Sequence, residues 1–379
     1  MTQKTNSIRI GLTQGDVNGI GLEVIVKALA NPEILELFTP VIFGNAALLK
    51  KTARRLKADD FKCETVNNFN DITDGKINVI ESGEMKEPQT PGLPSAAGGK
   101  AAVEALEAAS EALEEGGIDL LVTAPIDKNS VQSETFSFPG HTEYLEDRFA
   151  VEGGRALMIL ADGPLRVSLV TTHVPLAKVA ELITKENVAD TIKAFNRALK
   201  MDFGCERPKI AVLSLNPHCG DGGVLGSEER DQIIPAVEEC KKEGIMAFGP
   251  ISADGLFGSG AYRHYDGILA MYHDQGLAPF KALAQGGGVN FTAGLNIVRT
   301  SPAHGTAYDK AGRGIADETS MREAIYAAID IARRRDDYLE ASENPLPVKE
   351  PAPREPRKNK DKQNAEPDTR SDEATNAAE

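Results

Sequence analysis

Three histidines follow apolar segments of this sequence in a pattern that could form a divalent metal site. His173 ends the segment SLVTTH, His218 ends AVLSLNPH and His273 ends GILAMYH. In an open α/β sheet, strands deliver their last residues to one rim, where ligands bind. Three neutral imidazoles with an open coordination position suit a catalytic metal. Ordinary hydrogen-bonded loop histidines are the alternative interpretation.

A second candidate site lies at FPGHTEYL, where His141 and Thr142 directly follow Pro-Gly. We expect a helix to start here. Free backbone N–H groups at its first turn, together with a hydroxyl and an imidazole, suit a phosphate or a carboxylate. The alternative is a plain N-cap, in which Thr142 caps a helix that begins at Glu143.

Lys281, Asn290 and Arg299 recur at nine-residue intervals through a stretch that contains three consecutive glycines. Such a loop-rich stretch predicts close approach of the backbone to a ligand. A lysine and an arginine within it fit anion binding, because arginine presents a fork of donors to phosphate. Solvated surface charges are the alternative.

The glycine loop QGDVNGIG has Gly15, Gly19 and Gly21 after the first predicted strand. This spacing does not match G-x-G-x-x-G, and the rest of the sequence contains no Rossmann fingerprint. A nicotinamide cofactor would therefore require another architecture.

The order of the predicted elements is strand, loop and helix, repeated along the chain. This alternation predicts an α/β fold with a largely parallel sheet covered by helices. Two strands joined through Asp162 and Gly163 form a predicted hairpin, which adds an antiparallel element and makes the sheet mixed. A long helix is predicted from Leu176 to about Leu199.

Composition excludes several classes of protein. The chain has 379 residues, enough for two domains, and a net charge of −15. That charge argues against nucleic acid or an anionic membrane surface as the main partner. No apolar run reaches the ~20 residues of a membrane span. The four cysteines lack framework spacing and the polar N-terminus does not read as a signal peptide, which favours a cytoplasmic protein. Residues 344–379 are proline-rich and charged and are predicted to be disordered.

Several blocks together resemble the 4-hydroxythreonine-4-phosphate dehydrogenase family of vitamin B6 synthesis. They are GHTEYL, TTHVPL, LNPHCGDGGVLGSEE, AMYHDQGLAPFKAL and GVNFTAGLNIVRTSPAHGTAYDKAGRGIAD. The resemblance runs from about Arg9 to about Ile331 and excludes the C-terminal tail.

This resemblance implies a set of site residues. The metal, one divalent Zn, Mg or Co ion, would be held across a homodimer interface by His173, His218 and His273. The phosphorylated substrate would be bound by His141, Thr142, Lys281, Asn290 and Arg299.

The resemblance also implies a fold similar to the isocitrate and isopropylmalate dehydrogenases, with NAD or NADP as cofactor. The segment HGTAYDKAG looks like their cofactor loop, which makes His304, Gly305 and Thr306 candidate cofactor residues. The expected first domain comprises residues 1–130 plus 290–340, and the second comprises 131–289.

The implied reaction is oxidation of the C3 hydroxyl of 4-phosphooxy-L-threonine, followed by decarboxylation to 3-amino-2-oxopropyl phosphate. Lys281 and Asp274 are the candidate proton acceptors. The sequence departs from the family at TQGDVNGIG, where relatives are usually proline-rich, and at Asp127, where many have histidine. These departures leave open a paralogue acting on 4-phospho-threonate or erythronate. A three-histidine metallohydrolase and a phosphate-binding, non-catalytic module are two further hypotheses.

Overall fold

The computed structural model describes residues 7–83, 85, 87–134, 136–151 and 155–345. The strands of this part of the chain are β1 (Arg9–Thr13), β2 (Thr39–Gly44), β3 (Cys63–Val66), β4 (Ile77–Glu81), β5 (Leu120–Thr123), β6 (Leu157–Asp162), β7 (Leu165–Leu169), β8 (Lys209–Leu213), β9 (Met246–Ile251), β10 (Gly267–Ala270), β11 (Val289–Ala293) and β12 (Arg299–Pro302). The α-helices are α1 (Gly21–Ala28), α2 (Ala46–Leu56), α3 (Ala96–Glu114), α4 (His141–Phe149), α5 (Val179–Leu182), α6 (Lys185–Met201), α7 (Ile234–Lys242), α8 (Ala253–Gly258), α9 (His273–Ala284) and α10 (Thr319–Glu343).

All of these strands form one sheet in the order β3-β4-β2-β1-β5-β12-β11-β6-β7-β10-β8-β9. Neighbouring strands are parallel except that β11 runs antiparallel to β12 and β6, and β6 runs antiparallel to β7. The predicted α/β class with a mixed, mostly parallel sheet is therefore confirmed. The hairpin at Asp162 and Gly163 is confirmed as well, with Gly163 at φ 53°.

Strands β11 and β12 occupy the middle of the sheet. On one side, β12 pairs with β5, a strand of the first 130 residues. On the other side, β11 pairs with β6, a strand of the segment 131–289. The two strands therefore join the parts that the sequence assigned to separate domains. That division itself stays a prediction.

The long helix predicted from residue 176 is interrupted. A 3₁₀ turn covers Leu176–Lys178, α5 follows, and α6 begins only at Lys185. Thr184 is the N-cap of α6, and its side-chain oxygen accepts a hydrogen bond from the backbone N–H of Asn187 at 3.2 Å. The Thr184 cap satisfies a backbone N–H group at the start of α6. In a continuous helix that group would bond to the preceding turn.

The three strands before the candidate metal histidines end earlier than the sequence predicted. β7 ends at Leu169, β8 at Leu213 and β10 at Ala270, so each histidine lies three to five residues beyond its strand. The chain nevertheless keeps part of the sheet register there. Thr171 donates its backbone N–H to the carbonyl of Met271 at 3.2 Å and its hydroxyl to the same oxygen at 2.8 Å.

The predicted disordered tail, residues 344–379, lies outside the described residues from position 346 on. Within the described part, α10 ends at Glu343 and all four cysteines are free thiols. None of the described helices combines the length and the apolar character that crossing a bilayer requires.

Candidate functional site

A cavity of about 370 Å³ gathers most of the residues that the sequence put forward. It opens where β5, β11 and β12 face the N-terminal ends of α4 and α9. The predicted site residues that line it are His141, Thr142, His173, His273, Lys281, Asn290, Arg299, His304 and Gly305. Asp274, His218 and Thr306 do not line it.

Helix α4 presents its N-terminus to this cavity. It begins at His141, with Gly140 as N-cap and without a side-chain cap. The alternative in which Thr142 caps a helix starting at Glu143 is therefore wrong. Because Gly140 has no side chain to cap this end, the N–H groups of His141 and Thr142 are available to a ligand, whereas the Glu143 N–H bonds to its own carboxylate.

Lys281, Asn290 and Arg299 lie on regular elements, contrary to the loop-rich stretch that we predicted. Lys281 is on α9, Asn290 on β11 and Arg299 on β12. The consecutive glycines lie between α9 and β11 and only connect them. Arg299 is only 2% exposed, so the interpretation as a solvated surface charge is wrong for this residue.

The guanidinium of Arg299 is held by hydroxyl groups. Its Nε and Nη2 donate to Thr123 Oγ1 at 3.1 and 2.6 Å, and its Nη1 donates to Thr292 Oγ1 at 3.0 Å. Within the described residues it has no ion pair with a carboxylate. Burial lowers the pKa of Arg299 to about 10, and the nearby Glu143 carboxylate opposes that shift. The cavity thus contains a buried cation without a bonded countercharge.

Three buried polar atoms in the cavity residues lack a hydrogen-bond partner in the described part of the chain. They are His141 Nε2, Asn290 Oδ1 and His304 Nε2. Native proteins rarely leave buried polar atoms unpaired, because each one loses its hydrogen bonds to water. Three of them around one cavity indicate that a polar ligand completes the site.

The two cavity imidazoles among these atoms are electrically neutral near pH 7. Burial lowers the pKa of His141 well below its usual value, and the positive charges of Arg299 and Lys128 lower it further. Burial also lowers the pKa of His304. A neutral imidazole can accept a hydrogen bond at one ring nitrogen and donate at the other.

Two of the three candidate metal ligands come together. The ring centroids of His173 and His273 are 5.8 Å apart, and both rings line the cavity. His273 Nδ1 is 2.7 Å from Asp274 Oδ1, an arrangement that leaves Nε2 free to act as a ligand. Paired imidazoles are a suitable partial donor set for a divalent transition metal.

The third candidate ligand lies elsewhere in the same chain. His218 lines a separate cavity of about 450 Å³ with Asp254, Tyr272 and Gln275. Over the residues described, no cluster of three or more His, Cys, Asp or Glu side chains could hold a metal. One chain therefore does not assemble the predicted three-histidine set by itself.

The backbone around His218 has an unusual conformation. His218, Cys219 and Asp221 have φ values of 53, 54 and 44°, in the left-handed region that non-glycine residues seldom adopt. Leu225 N–H bonds to the Gly220 carbonyl at 3.0 Å, which closes the loop. The sequence signal for strand and loop was correct, but it carried no information on this backbone conformation.

Sequence reasoning missed two charged residues of the cavity, Lys128 and Glu143. Lys128 Nζ lies 3.2 Å from His173 Nε2, and Glu143 Oε1 lies 3.8 Å from His173 Nδ1. The contact with His173 is the main cause of the lowered pKa of Glu143. The segments TAPIDK and GHTEYL were the available signals. In TAPIDK, Asp127 does not line the cavity, and its carboxylate accepts a hydrogen bond from the backbone N–H of Ser130.

The predicted cofactor loop is tied to the glycine loop at the start of the chain. The carbonyl of Thr306 accepts a hydrogen bond from Ile20 N–H at 3.0 Å. The Tyr308 hydroxyl donates to Asp16 Oδ2 at 2.6 Å. Asp16 is buried, and burial raises its pKa. These contacts fix the position of the segment that begins at His304.

Comparisons with known proteins show which family the chain resembles. A family model described as "Pyridoxal phosphate biosynthetic protein PdxA" matches residues 36–328. A 4-hydroxythreonine-4-phosphate dehydrogenase of Bacteroides thetaiotaomicron is 53% identical over 343 residues, or 90% of this chain and 93% of that protein. A protein of Oceanobacillus iheyensis named "Putative D-threonate 4-phosphate dehydrogenase" is 41% identical over 326 residues, or 85% of this chain and 97% of that protein.

A solved structure with the same enzyme name as the first of these relatives is similar as well. The crystal structure of a 4-hydroxythreonine-4-phosphate dehydrogenase from Burkholderia phymatum is similar, with a TM-score of 0.68 and 36% sequence identity. The match covers 86% of this chain and 98% of that one. Sequence and fold are therefore similar to those proteins over nearly their whole length.

Proposed function

The chain belongs to the family of the pyridoxal phosphate biosynthetic protein PdxA, and on this premise we propose that it oxidises the C3 hydroxyl of 4-phosphooxy-L-threonine. The oxidant is NAD⁺ or NADP⁺. The product, 2-amino-3-oxo-4-phosphooxybutanoate, is a β-keto acid that decarboxylates to 3-amino-2-oxopropyl phosphate. The family places the chain among the oxidoreductases of pyridoxal phosphate biosynthesis.

The observation that carries this proposal is the composition of the cavity. It combines the buried Arg299 cation with unpaired polar atoms of His141, Asn290 and His304. A ligand that satisfies all of them must carry an anionic group and also donors such as a hydroxyl or an ammonium. A phosphorylated hydroxy amino acid has each of these groups.

The anionic end of the substrate has defined partners in this proposal. Arg299 and Lys281 supply positive charge to phosphate or carboxylate, with Arg299 offering its unused N–H donors. His141, Thr142 and the free N–H groups of α4 complete the binding of the anion. Asn290 supports this proposal through an amide that can donate to the anion and accept from a substrate donor.

A divalent ion, Zn, Mg or Co, fits the proposal with His173 and His273 of one subunit and His218 of the partner subunit as ligands. The separation of His218 from the other two within one chain supports a site shared across a homodimer. The ion, when bound, supplies positive charge that lowers the pKa of the substrate hydroxyl. Asp274 fixes the orientation of His273 through its hydrogen bond to Nδ1.

His304, Gly305 and Thr306 remain the proposed cofactor residues, because the contacts of Thr306 and Tyr308 with the glycine loop fix that segment. Lys281 and Asp274 remain the proton acceptors that the sequence put forward. Lys281 lines the cavity, whereas the side chain of Asp274 is 87% exposed and bonded to His273. A cytoplasmic location, and the absence of nucleic acid and membrane partners, stay predictions.

The test is a spectrophotometric assay of reduced nicotinamide, with 4-phosphooxy-L-threonine, a divalent metal and NAD⁺ or NADP⁺. We expect substrate-dependent reduction of the nicotinamide and release of carbon dioxide. Release of inorganic phosphate without nicotinamide reduction would contradict the proposal and favour the three-histidine metallohydrolase.

A second candidate substrate is D-threonate 4-phosphate, because the Oceanobacillus iheyensis relative carries that name at 41% identity. It differs from the first substrate at C2, where a hydroxyl replaces the ammonium. The ratio of kcat/KM values for the two substrates decides between them.

A further inference from the structure

We propose that Lys128 and Glu143 together bind the amino-acid head group of the substrate, with Lys128 at its carboxylate and Glu143 at its ammonium. This inference rests on the proposed function and favours 4-phosphooxy-L-threonine over D-threonate 4-phosphate as the substrate. It gives a role to the two charged cavity residues that the sequence did not put forward. Arg299 and Lys281 are then left for the phosphate.

Lys128 and Glu143 contact the two nitrogens of one imidazole ring. Lys128 Nζ lies 3.2 Å from His173 Nε2, and Glu143 Oε1 lies 3.8 Å from His173 Nδ1. His173 is a proposed ligand of the ion that binds the C3 hydroxyl. In the substrate, C2 carries the ammonium and the carboxylate and is bonded directly to C3. A head group held by Lys128 and Glu143 therefore lies beside the reacting carbon.

The two side chains have opposite charges but do not pair with each other. Among the described residues, Lys128 has no ion pair, and the atom that it contacts is a ring nitrogen of His173. Glu143 has no lysine or arginine partner in the same part of the chain. Its pKa is lowered mainly by the contact with His173 and also by the positive charge of Lys128. The two charges are thus close but unpaired, and a zwitterion between them pairs with both.

The start of α4 brings both side chains to the same place. A Cβ added to Gly140 would lie 3.5 Å from Glu143 Oε2 and 3.7 Å from Lys128 Cε. Both side chains therefore pass close to the glycine N-cap of the helix. Lys128 is exposed and Glu143 is partly buried, so a ligand in the cavity can reach each of them.

The other cations of the cavity suit the phosphate better than the carboxylate. Arg299 is buried and presents a fork of N–H donors, which matches a phosphate group. The N–H groups of His141 and Thr142 add further donors for an anion. Lys128 is a single compact charge, and one such charge is sufficient for a carboxylate. The substrate has one group of each kind, at opposite ends of its carbon chain.

Two probe ligands separate the two contacts. 3-Amino-2-hydroxypropyl phosphate lacks only the carboxylate of 4-phosphooxy-L-threonine, and D-threonate 4-phosphate has a hydroxyl in place of the ammonium. The affinity of the zinc-loaded protein for each of the three ligands is measured by calorimetry without nicotinamide. Lys128→Met and Glu143→Gln are compared with wild type. Lys51→Met and Glu323→Gln are the matched controls, at exposed positions outside the cavity.

Wild type is expected to bind 4-phosphooxy-L-threonine about tenfold more tightly than either probe, because each probe lacks one hydrogen bond between charged groups. Lys128→Met should lose about tenfold in affinity for 4-phosphooxy-L-threonine and keep its affinity for the probe without a carboxylate. Glu143→Gln should show a similar loss and keep its affinity for D-threonate 4-phosphate. Lys128→Arg, which retains the charge, should keep most of the affinity. Both control variants should match wild type.

Equal losses for 4-phosphooxy-L-threonine and for the matching probe would overturn the inference, because the side chain would then act without the group assigned to it. Loss of bound zinc from Glu143→Gln, with an unchanged ratio of affinities, would show that Glu143 only orients His173 and would overturn its part. Failure of wild type to reduce nicotinamide with 4-phosphooxy-L-threonine would instead refute the proposed function, whereas the ratios of affinities decide the inference separately.

Discussion

At the scale of single residues, the site depends on how Arg299 is held. Thr123 and Thr292 fix the guanidinium with three hydrogen bonds and add no negative charge. A carboxylate in the same place would form an ion pair and reduce the attraction for a phosphate. Neutral hydroxyls orient the N–H donors of the guanidinium and leave its positive charge available to a ligand.

Replacing Thr123 by valine tests this role, because valine keeps the shape and removes the oxygen that accepts two of the bonds. We expect KM for the phosphorylated substrate to rise about tenfold, and the free energy of unfolding to fall by about 1–3 kcal/mol, since a buried charged donor loses its partner. Steady-state kinetics and urea unfolding measure both. Thr123→Ser keeps the oxygen and should retain near-normal KM; equal defects in the two variants would argue against the hydroxyl.

His141 makes a second prediction at this scale. Its lowered pKa means that the folded protein binds fewer protons than the unfolded chain at pH values just below 6.5. Stability therefore falls as the pH drops below about 6.5, by at most about 1.4 kcal/mol at about pH 5.5 for one histidine.

Urea unfolding at about pH 7.5 and about pH 5.5 measures the effect of His141. We expect His141→Gln to lose less stability on acidification than wild type. The exposed His264 serves as the control, and His264→Gln should keep the wild-type difference. An undiminished pH dependence in His141→Gln would mean that its imidazole is not the group responsible.

At the scale of elements, helix α9 sets the spacing between three residues that line the cavity. It presents His273, Leu277 and Lys281 to the cavity at intervals of four residues, which places them along one side of a helix. Gly276 lets this helix approach the sheet closely. A Cβ there would lie 2.7 Å from Leu169 Cδ2 and 3.0 Å from both Ala270 Cβ and Val167 Cγ1.

The variant Gly276→Ala tests this close approach. We expect it to lower the free energy of unfolding by about 1–3 kcal/mol, because the added methyl overpacks the contact with β7 and β10. Gly258→Ala on α8 is the matched control, since no atom lies within 4 Å of its added Cβ. Denaturant unfolding compares the two. A Gly276→Ala variant as stable as Gly258→Ala would show that α9 has room to shift.

The elements also show what sequence patterns can predict. Alternating strands and helices correctly predicted a mixed, mostly parallel sheet, because that periodicity follows from local burial. The same patterns predicted a loop at Asn290 and Arg299. These residues are in strands that pair with each other and also with β6 and β5, which lie far away in the sequence. Pairing over such distances leaves little local signal.

The prediction of site residues shows the same difference between local and long-range information. Residue types and spacing put forward seven of the residues that line the cavity, and the resemblance to the family added His304 and Gly305. His218 shows the limit. It has a left-handed backbone and lines another cavity, and the segment LNPHCGDGG did not predict that placement. Lys128 and Glu143 were missed because neither stands out from ordinary surface charges in one sequence.

At the scale of the whole molecule, the division of the histidines between two cavities predicts complementation between subunits. In a shared site, His173→Ala and His218→Ala each destroy both sites of their own homodimer. A hybrid of the two variants keeps one intact site, formed by His173 and His273 of one subunit and the partner subunit's His218. Random mixing makes about half of the dimers hybrid, so about a quarter of the wild-type zinc content and activity should return.

Mixing His173→Ala with His273→Ala is the control, because both ligands belong to the same side of each site. No hybrid of that pair has an intact site, and no activity should return. If the first mixture stays as inactive as the second, the three histidines do not come from two subunits in the proposed division.

The central position of β11 and β12 has a consequence for how the protein is made. The ribosome must synthesise residues 289–302 before the two halves of the sheet can be joined, although strands on both sides are complete much earlier. Asn290 and Arg299 arrive with these strands. Nascent chains cut short before residue 289 therefore lack both the strands that join the two halves of the sheet and Arg299. If Arg299 binds phosphate as proposed, that capacity and the joining of the sheet are acquired together, late in synthesis.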